Sequence, residues 1–205
     1  MSESDLDLTS AHIKSKHLKN ILEAVLFAAN KVISIDVLYN LLQEDIAPSR
    51  PEIKTTLNYL MADYQNKGIN LVEVAGGYRF QTKKEYSTWV SRLWEEKPQK
   101  YSRAMLETLA LIAYRQPITR GDIEEVRGVV VSSTIMKTLQ ERNWVKIVGH
   151  RDVPGRPAMY ATTKQFLDYF NLKSLEELPS LAEIRDIDTI SKEVSAQLDL
   201  INHDS

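Results

Sequence analysis

Four histidines, a few adjacent carboxylates and one arginine-bearing loop are the groups in this sequence with chemistry to offer. The histidines are His12, His17, His150 and His203. His12 and His17 stand five apart, not the three or four that puts two metal ligands on one helical face. Cysteine is absent, which removes thiolate ligands, a thiol nucleophile and any disulfide framework. The pairs Glu124-Glu125 and Glu176-Glu177 fall where a solvated helix face or a tail is expected. No Gly precedes a Lys, so the end of a phosphate-binding loop is missing, and neither Gly-x-Gly-x-x-Gly nor Gly-x-Ser-x-Gly occurs. The expectation is therefore no enzymatic activity, no cofactor and no metal. What remains is the loop Gly149–Pro157, where His150, Arg151 and Arg156 are gathered. Guanidinium groups there could grip a carboxylate or phosphate bidentately, although a solvated loop is the commoner reason for such residues.

The elements that must position this loop run from Leu106 to Thr163. Leu106, Leu109, Ala110 and Ala113 recur at helical spacing and predict one apolar face. Pro117 stops that helix. Thr119 is placed to cap the next one, with Asp122 in the capping-box position where Glu or Gln is usual. Gly128 ends the second helix, and Ser132 or Ser133 can cap a third whose core side carries Ile135 and Leu139. Trp144-Val145-Lys146-Ile147-Val148 alternates as a half-buried strand does, and a second strand follows the loop. Three helices and a hairpin with a long loop spell a winged helix-turn-helix, with Gly149–Pro157 as the wing.

The same pattern occurs twice. Ile21–Leu38 lies over Leu106–Ile123 at a constant offset of 85, so that Ile33 meets Ile118 and the capping Ser34 meets Thr119. Leu71–Val74 matches Val145–Val148 at an offset of 74, and Tyr78–Tyr86 matches Ala158–Phe166 at 80. The second copy has thus lost 11 residues around its third helix and gained 6 in its wing, changes confined to loops and helix ends as a duplicated module should show. Ile53, Leu57, Leu60, Met61 and Tyr64 supply core residues to the first copy. The expected fold class is α+β, mostly helical, with two tandem winged-helix domains. Their bounds are a polar N-terminal segment 1–18, a first domain 19–97, a second domain 101–170 and an acidic segment 171–205.

Charge separates these parts. The first domain carries 10 basic and 10 acidic residues, the second 10 against 7, and the segment 171–205 only 3 against 8. A DNA reader concentrates Lys and Arg on its recognition helix, because phosphate neutralisation supplies most of its affinity. The third helix of the second copy offers Lys137 and Arg142 with Glu141 between them. The corresponding helix of the first offers Arg50, Lys54 and Lys67 against Glu52 and Asp63. The N-terminus is acidic and polar, and the most apolar run, Ile21–Ala29, is interrupted by Glu23 and too short to span a bilayer. A cytoplasmic protein without a membrane anchor is the expectation.

The run ALIAYRQPITRGDIEEVRG, the wing Arg151-Asp152-Val153-Pro154-Gly155-Arg156-Pro157 and the motif Leu172-Lys173-Ser174-Leu175-Glu176-Glu177-Leu178-Pro179 closely resemble segregation and condensation protein B, ScpB. This is the kite-type tandem winged-helix subunit of bacterial SMC–kleisin complexes. VLFAANKVISIDVL and GGYRFQTKKEY resemble its first module. The chain departs at Val129-Val130-Val131, where the resemblance leads one to expect Gly-Val-Asn or similar.

The resemblance implies a non-enzymatic, nucleoid-associated homodimer that binds the kleisin ScpA. Through ScpA it would act with the SMC ATPase in chromosome condensation and segregation during cell division, touching DNA at most weakly or indirectly. The alternative is a winged-helix transcription regulator reading DNA through a basic third helix. Dimerisation is expected through the first domain, with Tyr39, Tyr59, Trp89 and Trp94 as interface residues, since interfaces favour Tyr and Trp over bare charge. Kleisin binding is expected on the second domain, through Arg151 and Arg156 with Val153 and Tyr160 as apolar anchors. Packing of the wing on its own domain, with Arg156 paired to Asp152 or Asp122, is the competing expectation. Leu172, Leu175, Leu178 and Leu181 recur every three residues, which suits a short helix or 3₁₀ turn docked over Asn171–Leu181, with mobile chain after it.

Overall fold

Serine and threonine caps set most of the helix starts. The computed structural model describes residues 3–93 and 101–179, with side chains from residue 15 onward, and divides into two compact units at Ser87/Thr88. The first unit holds α1 (Glu3–Ala29), α2 (Ile35–Leu42), α3 (Arg50–Asp63), β1 (Ile69–Val74) and β2 (Gly77–Thr82). Ser34 caps α2 by accepting the Val37 N–H. Ser49 and Glu52 form a full capping box on α3, whose first turn also takes a proline. α1 starts at Glu3, well before Lys19, and already contributes Leu18 to the core.

Leu22, Leu26, Leu38, Ile53, Leu57 and Leu60 are fully enclosed, with Tyr64, Leu71 and Tyr78 beside them. Each such aliphatic side chain contributes about 2 kcal/mol by leaving water. β1 and β2 form an antiparallel hairpin paired from Ile69↔Thr82 to Val74↔Gly77. Its turn reaches the start of α2 through reciprocal backbone hydrogen bonds of 2.9 Å between Ile33 and Tyr78.

A short helix, α4 (Ser87–Ser91), lies at the division between the units. The second unit then holds α5 (Arg103–Arg115), β3 (Ile118–Thr119), α6 (Arg120–Arg127), α7 (Ser133–Glu141), β4 (Val145–His150), β5 (Ala158–Thr162) and α8 (Lys164–Tyr169). The strand order is β3-β5-β4, all antiparallel. The mixture of helices with small sheets is α+β. Thr119 and Asp122 form both bonds of the capping box, Gly128 ends α6 at φ +69°, and Ser132 caps α7.

Two local expectations are corrected. Ala110 is exposed, and α5 fills its core face with Met105, Leu109, Ile112 and Ala113. β4 does not alternate: Trp144 and Val145 are both buried, while Lys146, Ile147 and Val148 are all exposed. β4 is a sheet edge, and its register shifts between Ile147 and Gly149. A bulge there bends the strand and interrupts the alternation of faces.

After α8, Leu172 and Leu178 pack against the second core, a 3₁₀ turn spans Leu175–Glu177, and the Tyr114 hydroxyl donates to the Pro179 carbonyl at 2.7 Å. Leu181 and the chain after it lie outside the described residues, as does Trp94. Among the described residues, no helix is long and apolar enough to cross a membrane.

Candidate functional site

The wing is built from short-range bonds and then fastened from outside. The Arg151 N–H donates to the Pro157 carbonyl at 2.9 Å, closing the loop's neck. Inside it, the Arg156 N–H donates to the Val153 carbonyl at 2.8 Å, with Gly155 at φ +84°. Pro154 and Gly155 therefore occupy the corners of a type II turn, where a fixed φ and then a positive φ are required. Arg156 itself lies at φ +38°, a left-handed conformation that disfavours a side chain and that the following Pro157 disfavours further.

The Arg151 side chain points at α6. Its Nη1 donates to Asp122 Oδ1 at 2.8 Å and its Nη2 to Oδ2 at 2.6 Å. Asp122 Oδ2 also accepts the Thr119 N–H at 2.9 Å. One carboxylate thus completes the capping box of α6 and holds the wing. The Arg151 guanidinium, with the Thr119 N–H behind it, brings the Asp122 carboxyl down to about 2, and Asp122 in turn raises Arg151. The competing expectation from the sequence paired Arg156 with Asp152 or Asp122. The structure gives Asp122 to Arg151, and no ion pair of Arg156 occurs among the described residues. The capping role of Asp122 was legible, but its contact with a residue 29 positions later depends on how the hairpin folds back.

The other predicted contact residues are arranged around this fork. Val153 is 43% exposed, and Arg156 is exposed at the tip. Tyr160 pairs with Ile118 and Ile147, packs partly on the second core and lines a shallow groove of about 350 Å³ with Arg120, Met136, Lys137 and Glu141. The start of α6 also secures α7. Arg120 bonds to Glu124, to the Val131 carbonyl and to Ser133. Glu124 accepts the Val131 N–H at 2.9 Å, which together with Arg120 lowers its pKa. Sequence reasoning missed this hub. On α7 the exposed Lys137 pairs with Glu141 at 3.6 Å, and Arg142 turns back over Tyr101 and Trp144. Among the described residues no group of three His, Asp or Glu side chains could hold a metal.

In the first unit, Tyr59 is 61% exposed on α3. Tyr39 is half-buried against the core, and the Arg50 guanidinium lies 3.9 Å from its ring centre. Trp89 is exposed but falls beyond the Ser87/Thr88 division. Phe27, Val37 and Leu41 are also exposed, residues outside the interface set expected from the sequence.

Residues 20–181 match the family model of the segregation and condensation complex subunit ScpB. The chain is similar to the segregation and condensation protein B homolog of Coxiella burnetii, 55% identical over 89% of this chain and 88% of that one. It is similar also to segregation and condensation protein B of Syntrophotalea carbinolica, 44% identical over 83% of this chain and 85% of that one. The crystal structure of ScpB from Mycobacterium tuberculosis is 31% identical, covering 77% of this chain and 97% of that one, with a TM-score of 0.36. A family model that spans residues 20–181, with relatives of this identity along most of their length, establishes that the chain belongs to the ScpB family of segregation and condensation complex subunits.

Proposed function

We propose that the protein is a non-enzymatic scaffold: two tandem winged-helix domains that bind the kleisin ScpA as a homodimer. Through the kleisin it joins an SMC ATPase in a condensin-like complex that condenses and segregates chromosomes. The observation that carries this reading is the wing, a proline-stiffened loop presenting Arg156 and Val153 to solvent. A stiff loop loses little conformational freedom on binding, which raises affinity without further contacts. Arg156 matches kleisin carboxylates, with Val153 as the apolar anchor and Tyr160 at the base of the hairpin. The α7 face gives no support to a DNA reader, since Lys137 is partnered by Glu141 and Arg142 is drawn over aromatic rings. Dimerisation through the first domain is supported by the exposed Tyr59 and by the apolar Phe27, Val37 and Leu41 around its helices.

Light scattering on size-exclusion peaks of the full chain, alone and with the kleisin's middle region, tests both parts. The expected result is a dimer that takes up the kleisin peptide without dissociating. A monomer at micromolar concentration sinks the dimer. Tight, sequence-selective DNA binding at physiological salt, with no uptake of the kleisin, replaces the scaffold by a regulator.

A further inference from the structure

The two copies of the repeat fasten the same junction, hairpin to helix N-cap, by different chemistry. In the first copy reciprocal backbone hydrogen bonds between Ile33 and Tyr78 make the junction. Gly77 brings the hairpin turn so close to Ile33 and Ser34 that a Cβ would stand 2.1 Å from the Ile33 carbonyl oxygen, and Ile33 pairs with Tyr78 immediately after the turn. The residue equivalent to Asp122 is Val37, which faces solvent. In the second copy the inserted loop prevents that approach. The cap strand pairs farther from the turn, Ile118 with Tyr160 and Thr119 with Met159. The loop extends beyond, with open space around Gly155. The gap is closed by the fork from Arg151 to Asp122, on a carboxylate already held by the Thr119 backbone.

We infer that Asp122 and Arg151 are positioning residues: they fasten the inserted wing to the N-cap of α6, and partner recognition falls to Arg156 and Val153. The inference rests on the wing's being the kleisin site. The end-on fork of the Arg151 guanidinium, its two Nη nitrogens, is committed to Asp122, in a geometry specific to arginine. A loop whose turn forces Arg156 to φ +38° keeps that strain only while its surroundings hold it in place, and the fork links those surroundings to a helix.

Hydrogen exchange of the free full-length protein, paired with calorimetry against the kleisin's middle region, tests this. Asp122→Asn and Arg151→Met should each raise exchange in peptides covering 150–157 by tenfold or more, with core peptides of α5 and α7 unchanged. Asp122→Glu, which keeps a carboxylate, should restore most of the protection. Both disruptive variants should weaken kleisin binding to the same degree, and the double variant no further. If Arg151 is instead a direct contact, Asp122→Asn frees it and affinity holds or rises while Arg151→Met alone weakens binding. That outcome overturns the inference, as does unchanged exchange in the wing. Arg156→Ala distinguishes the underlying reading. If it leaves kleisin affinity unaltered, the kleisin site lies elsewhere, and the exchange data still decide whether the fork holds the wing.

Discussion

Replacing Gly77 with alanine tests the fold of the first unit at its tightest point. Gly77 has φ +136°, a region open to glycine and strained for any L side chain at a cost on the order of 2 kcal/mol. The added Cβ would lie 2.1 Å from the Ile33 carbonyl oxygen, 2.6 Å from its carbon and 2.7 Å from the Ser34 Cα. All three are backbone atoms, so no side chain can swing away to make room. The turn must lift off the start of α2, breaking the two 2.9 Å hydrogen bonds between Ile33 and Tyr78, each with a net contribution of about 1 kcal/mol. The expected loss is about 4 kcal/mol, a large part of the roughly 5–10 kcal/mol available to a unit of this size. Native-state hydrogen exchange read by mass spectrometry resolves the two units separately. Core peptides of α2 and α3 should exchange roughly 1,000-fold faster, since each 1.4 kcal/mol is a factor of ten. Gly155→Ala is the control, with φ +84° and nothing within 4 Å; it should cost only about 1 kcal/mol in the second unit. Protection in the Gly77 variant within tenfold of the parent refutes the close-approach argument.

Three further outcomes are expected. Arg156→Gly should stabilise the second unit by about 0.5–1 kcal/mol, because φ +38° is then unstrained. If Arg156 is a kleisin anchor, the same variant lowers affinity by at least about 2 kcal/mol in calorimetry; a loss of both stability and affinity would mean that the loop had collapsed. Ala47 closes the α2 C-terminus at φ +47°, with its N–H on the Leu42 carbonyl, so Ala47→Gly should stabilise the first unit by about 0.5–1 kcal/mol in exchange or thermal melts. Asp122, held at about 2 against an ordinary 3.8, stabilises the folded form fully above pH 4 and loses that contribution as pH falls from about 4 toward 2. At 31% side-chain exposure solvent screening leaves roughly 1 kcal/mol of it. An acid titration followed by exchange in the second unit should therefore be shallower for Asp122→Asn, and parallel acid limbs would count against the fork.

The sequence alone determined what depends on neighbours within one turn of chain. Ser34, Thr119 and Ser132 sit at helix caps because a side-chain oxygen two or three residues before an unpaired N–H can reach it in any fold. Asp122 completes its capping box for the same reason, and Gly128 ends α6 at φ +69° because the sterics at that position are local. Family membership followed from contiguous motifs. The tertiary structure alone decided which groups meet across distance. That Arg151, and not Arg156, takes Asp122 depends on the path of a hairpin, and three cationic or titratable side chains in one loop look alike until that path is fixed. The burial of β4 was illegible because an edge strand with a bulge exposes residues that alternation would hide. Arg120 became the hub of α6 and α7 only through the Val131 backbone, a carbonyl no sequence pattern marks. The necessity of Gly77 comes from the Ile33 backbone more than forty residues earlier, brought to within 2.1 Å of where a Cβ would stand.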